Sequence, residues 1–149
     1  MSTQTHRLII NELARCEECA VLRVSGELDQ NAEKFFLRTL GDSVMAGHRH
    51  LVLDVTALVF CDSRGLNCLL GVRWLLRRRE GQLLLAGAGR HLVQLLTLTG
   101  STELIPRYLS VGQALLALPP SQRPTWPPSP SPCPDGKPGD APPLGPEPP

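Results

Sequence analysis

Fourteen of the chain's fifteen prolines fall between Pro119 and Pro149, and no other feature restricts the fold so strongly. Proline lacks a backbone donor and fixes its own φ, so a stretch this rich in it can neither complete a sheet ladder nor continue a helix. The sequence therefore divides near Leu118. Residues 5–118 form a foldable segment long enough for one core, and residues 119–149 form a Pro-rich tail expected to be disordered. Within the tail, Pro124-Thr125-Trp126-Pro127 and the Pro-Ser-Pro repeats are compatible with a polyproline II ligand, but a spacer is the favoured reading. Trp126 is the tail's one large aromatic side chain.

Periodicity divides the foldable segment into alternating strands and helices. Ala20, Leu22 and Val24 alternate with Val21, Arg23 and Ser25, which predicts a strand buried on one face, with residues 8–13 as its pairing partner. Ala32, Phe36, Leu40 and Val44 recur every fourth residue, on one face of a helix that Asp29 or Asn31 is able to cap. Leu51 to Val55 is a nearly continuous apolar run, as in a central strand covered on both sides, with Asp54 its polar member. From Ser63 the pattern turns helical, with Leu66, Leu69, Leu70 and Trp74 as the inward stripe, Arg77-Arg78-Arg79 in the last turn and Gly81 ending it. Leu83 to Ala86 reads as a second central strand. Leu92, Leu95, Leu96 and Thr99 mark a third helix, Pro106 restricts a short segment to a sheet edge, and residues 111–118 form a fourth helix. This order predicts an α/β fold with a mixed central sheet and about four helices.

Fifteen basic against fourteen acidic residues give a net charge of +1, which supplies no broad field for nucleic acid or an anionic membrane. The amino terminus lacks the layout of a secretory signal, and Asn67 and Arg73 interrupt the most apolar stretch, so a cytoplasmic location is expected. Five cysteines without framework spacing read as free thiols.

Residues 60–66, Phe-Cys-Asp-Ser-Arg-Gly-Leu, lie where a strand gives way to a helix. Asp62 and Ser63 each carry a short oxygen-bearing side chain able to accept the helix's free amides. On residue type alone an N-cap is the simpler explanation of Ser63.

A wider pattern favours another role. Gly26-Glu27-Leu28-Asp29, Leu51-Val52-Leu53-Asp54 leading to Asp62-Ser63-Arg64-Gly65-Leu66, and Leu98-Thr99-Gly100 followed by Ser110-Val111-Gly112-Gln113-Ala114-Leu115 together resemble the STAS-domain anti-sigma factor antagonists. The resemblance implies a STAS-like domain whose Ser63 is phosphorylated by a partner that is both anti-sigma factor and serine kinase. It implies that unmodified protein binds that partner and frees a sigma factor, that phosphorylation ends the binding, and that a metal-dependent serine phosphatase resets the cycle. Members are substrates and binders rather than catalysts, and no cofactor is expected. Asp29, Asp62, Arg64, Gly65 and Leu66 are expected to shape the dock, Gly65 by leaving the backbone open and Leu66 by an apolar contact beside the hydroxyl. Arg64 departs from the small hydroxyl residue usual at its position. It would either meet an acidic patch on the kinase or partly neutralise the phosphate. The alternative is a non-phosphorylated STAS scaffold subunit of a sensory or lipid-transport complex.

Other motifs carry less. Cys16-Glu17-Glu18-Cys19 has the spacing of a zinc half-site but precedes a strand and lacks a second ligand pair, and His48 and His50 read as solvated rather than metal-binding. A hydrolase elbow is half missing, since Cys61 stands where a glycine belongs, and no base is placed to activate Ser63. Arg77-Arg78-Arg79 reads as a solvated helix end, and Gly87-Ala88-Gly89 is too short to cradle phosphate.

Overall fold

The computed structural model describes residues 2–5 and 7–128; the expectation of disorder over residues 129–149 lies outside them. Seven strands form one sheet: β1 (Ser2–Thr5), β2 (Leu8–Arg15), β3 (Cys19–Leu28), β4 (His50–Asp54), β5 (Leu58–Cys61), β6 (Gln82–Ala86) and β7 (Arg107–Tyr108). The spatial order is β1-β2-β3-β4-β6-β7, with β5 also on β3. β1, β2 and β3 are antiparallel, whereas β4, β6 and β7 extend the sheet in parallel. The expected mixed α/β sheet with four helices is what the described residues adopt. The helices are α1 (Glu33–Met45), α2 (Ser63–Arg77), α3 (Arg90–Leu98) and α4 (Val111–Leu116).

The strand alternation sorts the core into two layers. Ala20, Leu22, Val24, Leu51, Leu53, Leu83 and Leu85 face α1, α2 and α3, while Cys19, Val21, Val52, Leu84 and Ala86 face α4. β3 is therefore covered on both faces over its first half, not on one as its alternation suggests. Fourfold spacing on α1 is matched by burial of Phe36, Leu40 and Val44. On α2 the buried face runs through Gly65, Leu66, Cys68, Leu69, Val72 and Leu76. Trp74, expected on that face, is 57% exposed.

Packing continues past Leu118. Arg123 donates to the carbonyls of Leu115 and Leu118, both at 3.2 Å, closing the carboxyl end of α4. Gln122 Oε1 pairs with His50 Nε2 at 2.8 Å, and Trp126 packs on the α4-side core. His48 and His50 are buried, which corrects the solvated reading. The Cys16–Cys19 segment is a hairpin turn closed by the Cys16 amide on the Cys19 carbonyl at 2.8 Å. Cys16, Cys19, Cys61 and Cys68 are free thiols. Among the described residues no three-ligand metal cluster occurs, and no helix is long and apolar enough to cross a membrane.

Candidate functional site

The carboxyl ends of the parallel strands gather the sequence-selected residues. β3 pairs with β4 through Cys19–Arg23 and then with β5 through Gly26–Leu28. The chain jogs between the two at residues 55–57, and Asp54 anchors the jog by accepting from the Thr56 amide at 3.0 Å and from the Thr56 hydroxyl. β5 then delivers Asp62 and Ser63 to the end of the sheet beside the close of β3, where the Asp62 amide donates to the Leu28 carbonyl at 3.3 Å. That contact sets Asp29 and Asp62 at one end of the sheet.

The two candidate caps have separate positions. Asp62 is the N-cap of α2, its Oδ1 accepting from the Gly65 amide at 2.8 Å. The cap leaves Ser63, the first helical residue, exposed, with a hydroxyl that bonds to no other described residue. Asp29 caps a short 3-10 turn by accepting from the Asn31 amide at 3.0 Å. Beside it lies a polar cleft of about 260 Å³ lined by Arg7, Glu27, Asp29, Asn31 and Ala32.

Gly65 and Leu66 play different parts from those expected. Both are buried, Leu66 at 2% exposure, because α2 is laid tightly on the end of β3. A Cβ at Gly65 would stand 2.3 Å from the Leu28 carbonyl oxygen and 2.9 Å from Cys61 Sγ. The glycine serves helix-to-strand contact inside the molecule, and Leu66 serves the core. Arg64 is on the surface and pairs with Glu33 of α1 at 3.0 Å, an internal partner that sequence reasoning did not consider.

Three further residues complete the surface. Phe60 stacks on His91 of α3, with ring centroids 5.5 Å apart, and His91 Nε2 lies 3.1 Å from the Cys61 carbonyl. Val59 is 71% exposed. Their only sequence signal was proximity: Val59 and Phe60 precede Asp62, and His91 follows the Gly87–Gly89 turn. Burial, with Asp62 and Cys68 adding to it, pushes the Cys61 thiol up to about 12. Burial, then Glu33 and Asp62, pushes Cys68 up to about 11, against the opposing pull of Arg64. Thiolate chemistry at the foot of the helix is disfavoured, which leaves Ser63 as the accessible nucleophile-bearing side chain of this turn.

A family model described as STAS domain matches residues 12–114. An anti-sigma F factor antagonist from Paenibacillus polymyxa is 27% identical over 99 residues, covering 66% of this chain and 85% of that protein. The crystal structure of an anti-sigma factor antagonist from Mycobacterium paratuberculosis aligns with a TM-score of 0.63 at 28% identity, over 72% of this chain and 92% of that one. A Bacillus cell fate determinant in its phosphorylated form aligns at 0.59 and 18% identity, over 72% and 97%, a likeness of fold.

Proposed function

The chain belongs to the STAS-domain family, and from that premise and its likeness to anti-sigma factor antagonists we propose that it docks the Ser63 end of its sheet onto an anti-sigma factor with serine kinase activity. Docking frees the sigma factor, phosphorylation of Ser63 ends it, and a serine phosphatase restores it. On this reading it is a non-enzymatic regulator, as the anti-sigma factor antagonists it resembles are. The single observation that carries the reading is the spare hydroxyl: Asp62 does the capping, so Ser63 is exposed and its hydroxyl bonds to none of the other described residues.

The physics of such a switch lies at the interface. A phosphate adds about −1.5 to −2 charges to a surface that already presents Asp29 and Asp62. The amino end of α2 tolerates that anion and gains roughly 0.3–1 kcal/mol from it, so modification leaves the domain folded. Like charges brought together at a packed contact cost on the order of several kcal/mol, and each 1.4 kcal/mol is about tenfold in affinity. Arg64 is paired with Glu33, but an exposed pair worth roughly 0–1 kcal/mol does not hold the guanidinium back from a phosphate on the adjacent residue, so Arg64 offsets part of that repulsion.

The test is affinity capture from lysate with two baits, unmodified protein and protein carrying phosphoserine at 63. A serine kinase retained by the first bait alone is expected, with affinity for it lowered by about a hundredfold or more in the second. Equal recovery of the kinase by both baits refutes the switch.

A further inference from the structure

We propose that the docking surface continues from Ser63 along the solvent face of α2 to Trp74, which seats an apolar side chain of the partner protein while Arg77 and Arg78 meet its carboxylates. The inference rests on the docking reading above and extends it to a second anchor. At 3.6 residues per turn, Ser63, Asn67, Leu70, Trp74 and Arg78 fall in one stripe of α2, opposite the buried Gly65, Leu69, Val72 and Leu76. Ser63, Asn67, Trp74 and Arg78 are exposed and Leu70 is half-buried. Gly71 flanks the stripe with open space where a side chain would stand, so that border of the face is low enough for a partner to lie against it.

Trp74 is unusual on such a face. Indole is the largest apolar payload a chain carries, yet Trp74 is 57% exposed, and its described ring partner is the Arg78 guanidinium, 4.8 Å from the ring centroid. Stacking fixes the guanidinium in advance, so less rotamer freedom is lost when it meets a carboxylate. Trp and Arg are the residue types that most often dominate binding energy. Eleven residues of helix separate Trp74 from Ser63 by about 17 Å, well inside a standard contact patch about 30 Å across. Arg77, Arg78 and Arg79 make this end basic, which selects an acidic protein surface; a net charge of +1 for the whole chain gives no wider field for nucleic acid or lipid.

The test places the photocrosslinker p-benzoylphenylalanine at Trp74 and, in a separate protein, at Val59 beside Ser63, in the full chain inside cells. The two positions are expected to capture one and the same protein, identified by mass spectrometry. Capture at 59 with nothing, lipid, nucleic acid or a different protein at 74 overturns the extension and leaves the docking reading standing. Capture at 74 alone overturns the continuity, and silence at both positions overturns the docking reading as well. With the captured protein purified, Trp74→Ala is expected to weaken binding at least tenfold and Arg78→Glu comparably, while Leu109→Ala on the α4 side leaves it unchanged. An unaltered affinity for Trp74→Ala overturns the anchor.

Discussion

α2 and α4 lie on opposite faces of one sheet, and each has a serine at its amino end, yet the two serines do different work. In α4, Ser110 is the N-cap and its hydroxyl accepts from the Gln113 amide at 3.2 Å. In α2 the cap is Asp62, so Ser63 sits one position further in, its hydroxyl bonded to none of the other described residues. α4 is six residues long, too short to persist by its own backbone bonds, and it is tied at both ends, by Ser110 and by Arg123. α2 has fifteen residues and its buried face is pressed into the end of β3. A hydroxyl becomes available for modification only where another group has taken over the capping and the helix is secure without it. That division of labour separates a structural serine from a candidate switch.

Alkaline pH breaks both faces together and carries the largest expected effect. Cys61, at the foot of α2, and Cys19, on the α4 side, are each raised from about 9 to about 12, by burial first in both cases. Between those values the folded chain keeps protons that the unfolded chain has released. Stability is therefore intact below about pH 9 and falls as pH rises, by about 1.4 kcal/mol per thiol per pH unit. Denaturant midpoints at pH 8 and pH 10.5 check the slope. Cys19→Ala and Cys61→Ala should each remove a share of it, and a slope untouched by Cys19→Ala would confine the effect to the α2 side.

The next contrast is between two glycines. Helix propensity alone favours alanine over glycine by about 1 kcal/mol. At Gly112 of α4 the added methyl would meet Trp126 Cδ1 at 3.5 Å, an ordinary contact, and Gly112→Ala should stabilise by up to that amount. At Gly65 the obstacle is a backbone carbonyl 2.3 Å away, and Gly65→Ala should destabilise by about 2 kcal/mol. Thermal or denaturant unfolding of both variants gives the signs, and a stabilised Gly65→Ala would mean that α2 does not sit as tightly on β3 as described.

Much of this architecture was legible because apolar spacing records it. Phe36, Leu40 and Val44 announced α1, and the runs at Leu51 and Leu83 announced the doubly covered strands. Spacing failed where burial was achieved by small residues. The true inner face of α2 begins with Gly65 and Cys68, which carry little apolar signal, and so the stripe appeared to run through Leu70 to Trp74. β1 is polar, and β5 is four residues long and pairs beside β4 on the same edge of β3, an arrangement that no local period encodes. At the candidate site, Asp29, Asp62, Ser63 and Arg64 were singled out because motif order marks them, whereas Glu33, Phe60 and His91 come together only through tertiary packing. Leu66 and Gly65 were assigned outward because a motif records which residues recur and not which way they face. Trp126 was assigned to the tail on composition, although Arg123 and Gln122 bind that segment to α4 and β4 first.

The smallest expected effect is the most direct test of the two serines. Ser110→Ala removes a hydrogen-bonded cap from a helix of six residues and should cost about 1 kcal/mol. Ser63→Ala removes a hydroxyl that bonds to none of the other described residues, and alanine is a good helix former, so its cost should lie within about 0.5 kcal/mol of zero. Paired denaturant titrations measure both. If Ser63→Ala cost as much as Ser110→Ala, the Ser63 hydroxyl would be holding the helix after all, and phosphorylating it would remove a structural bond in addition to adding charge. Near-zero cost, by contrast, leaves repulsion at the docked surface as the physical consequence of the modification, because the domain beneath is indifferent to the group it has left free.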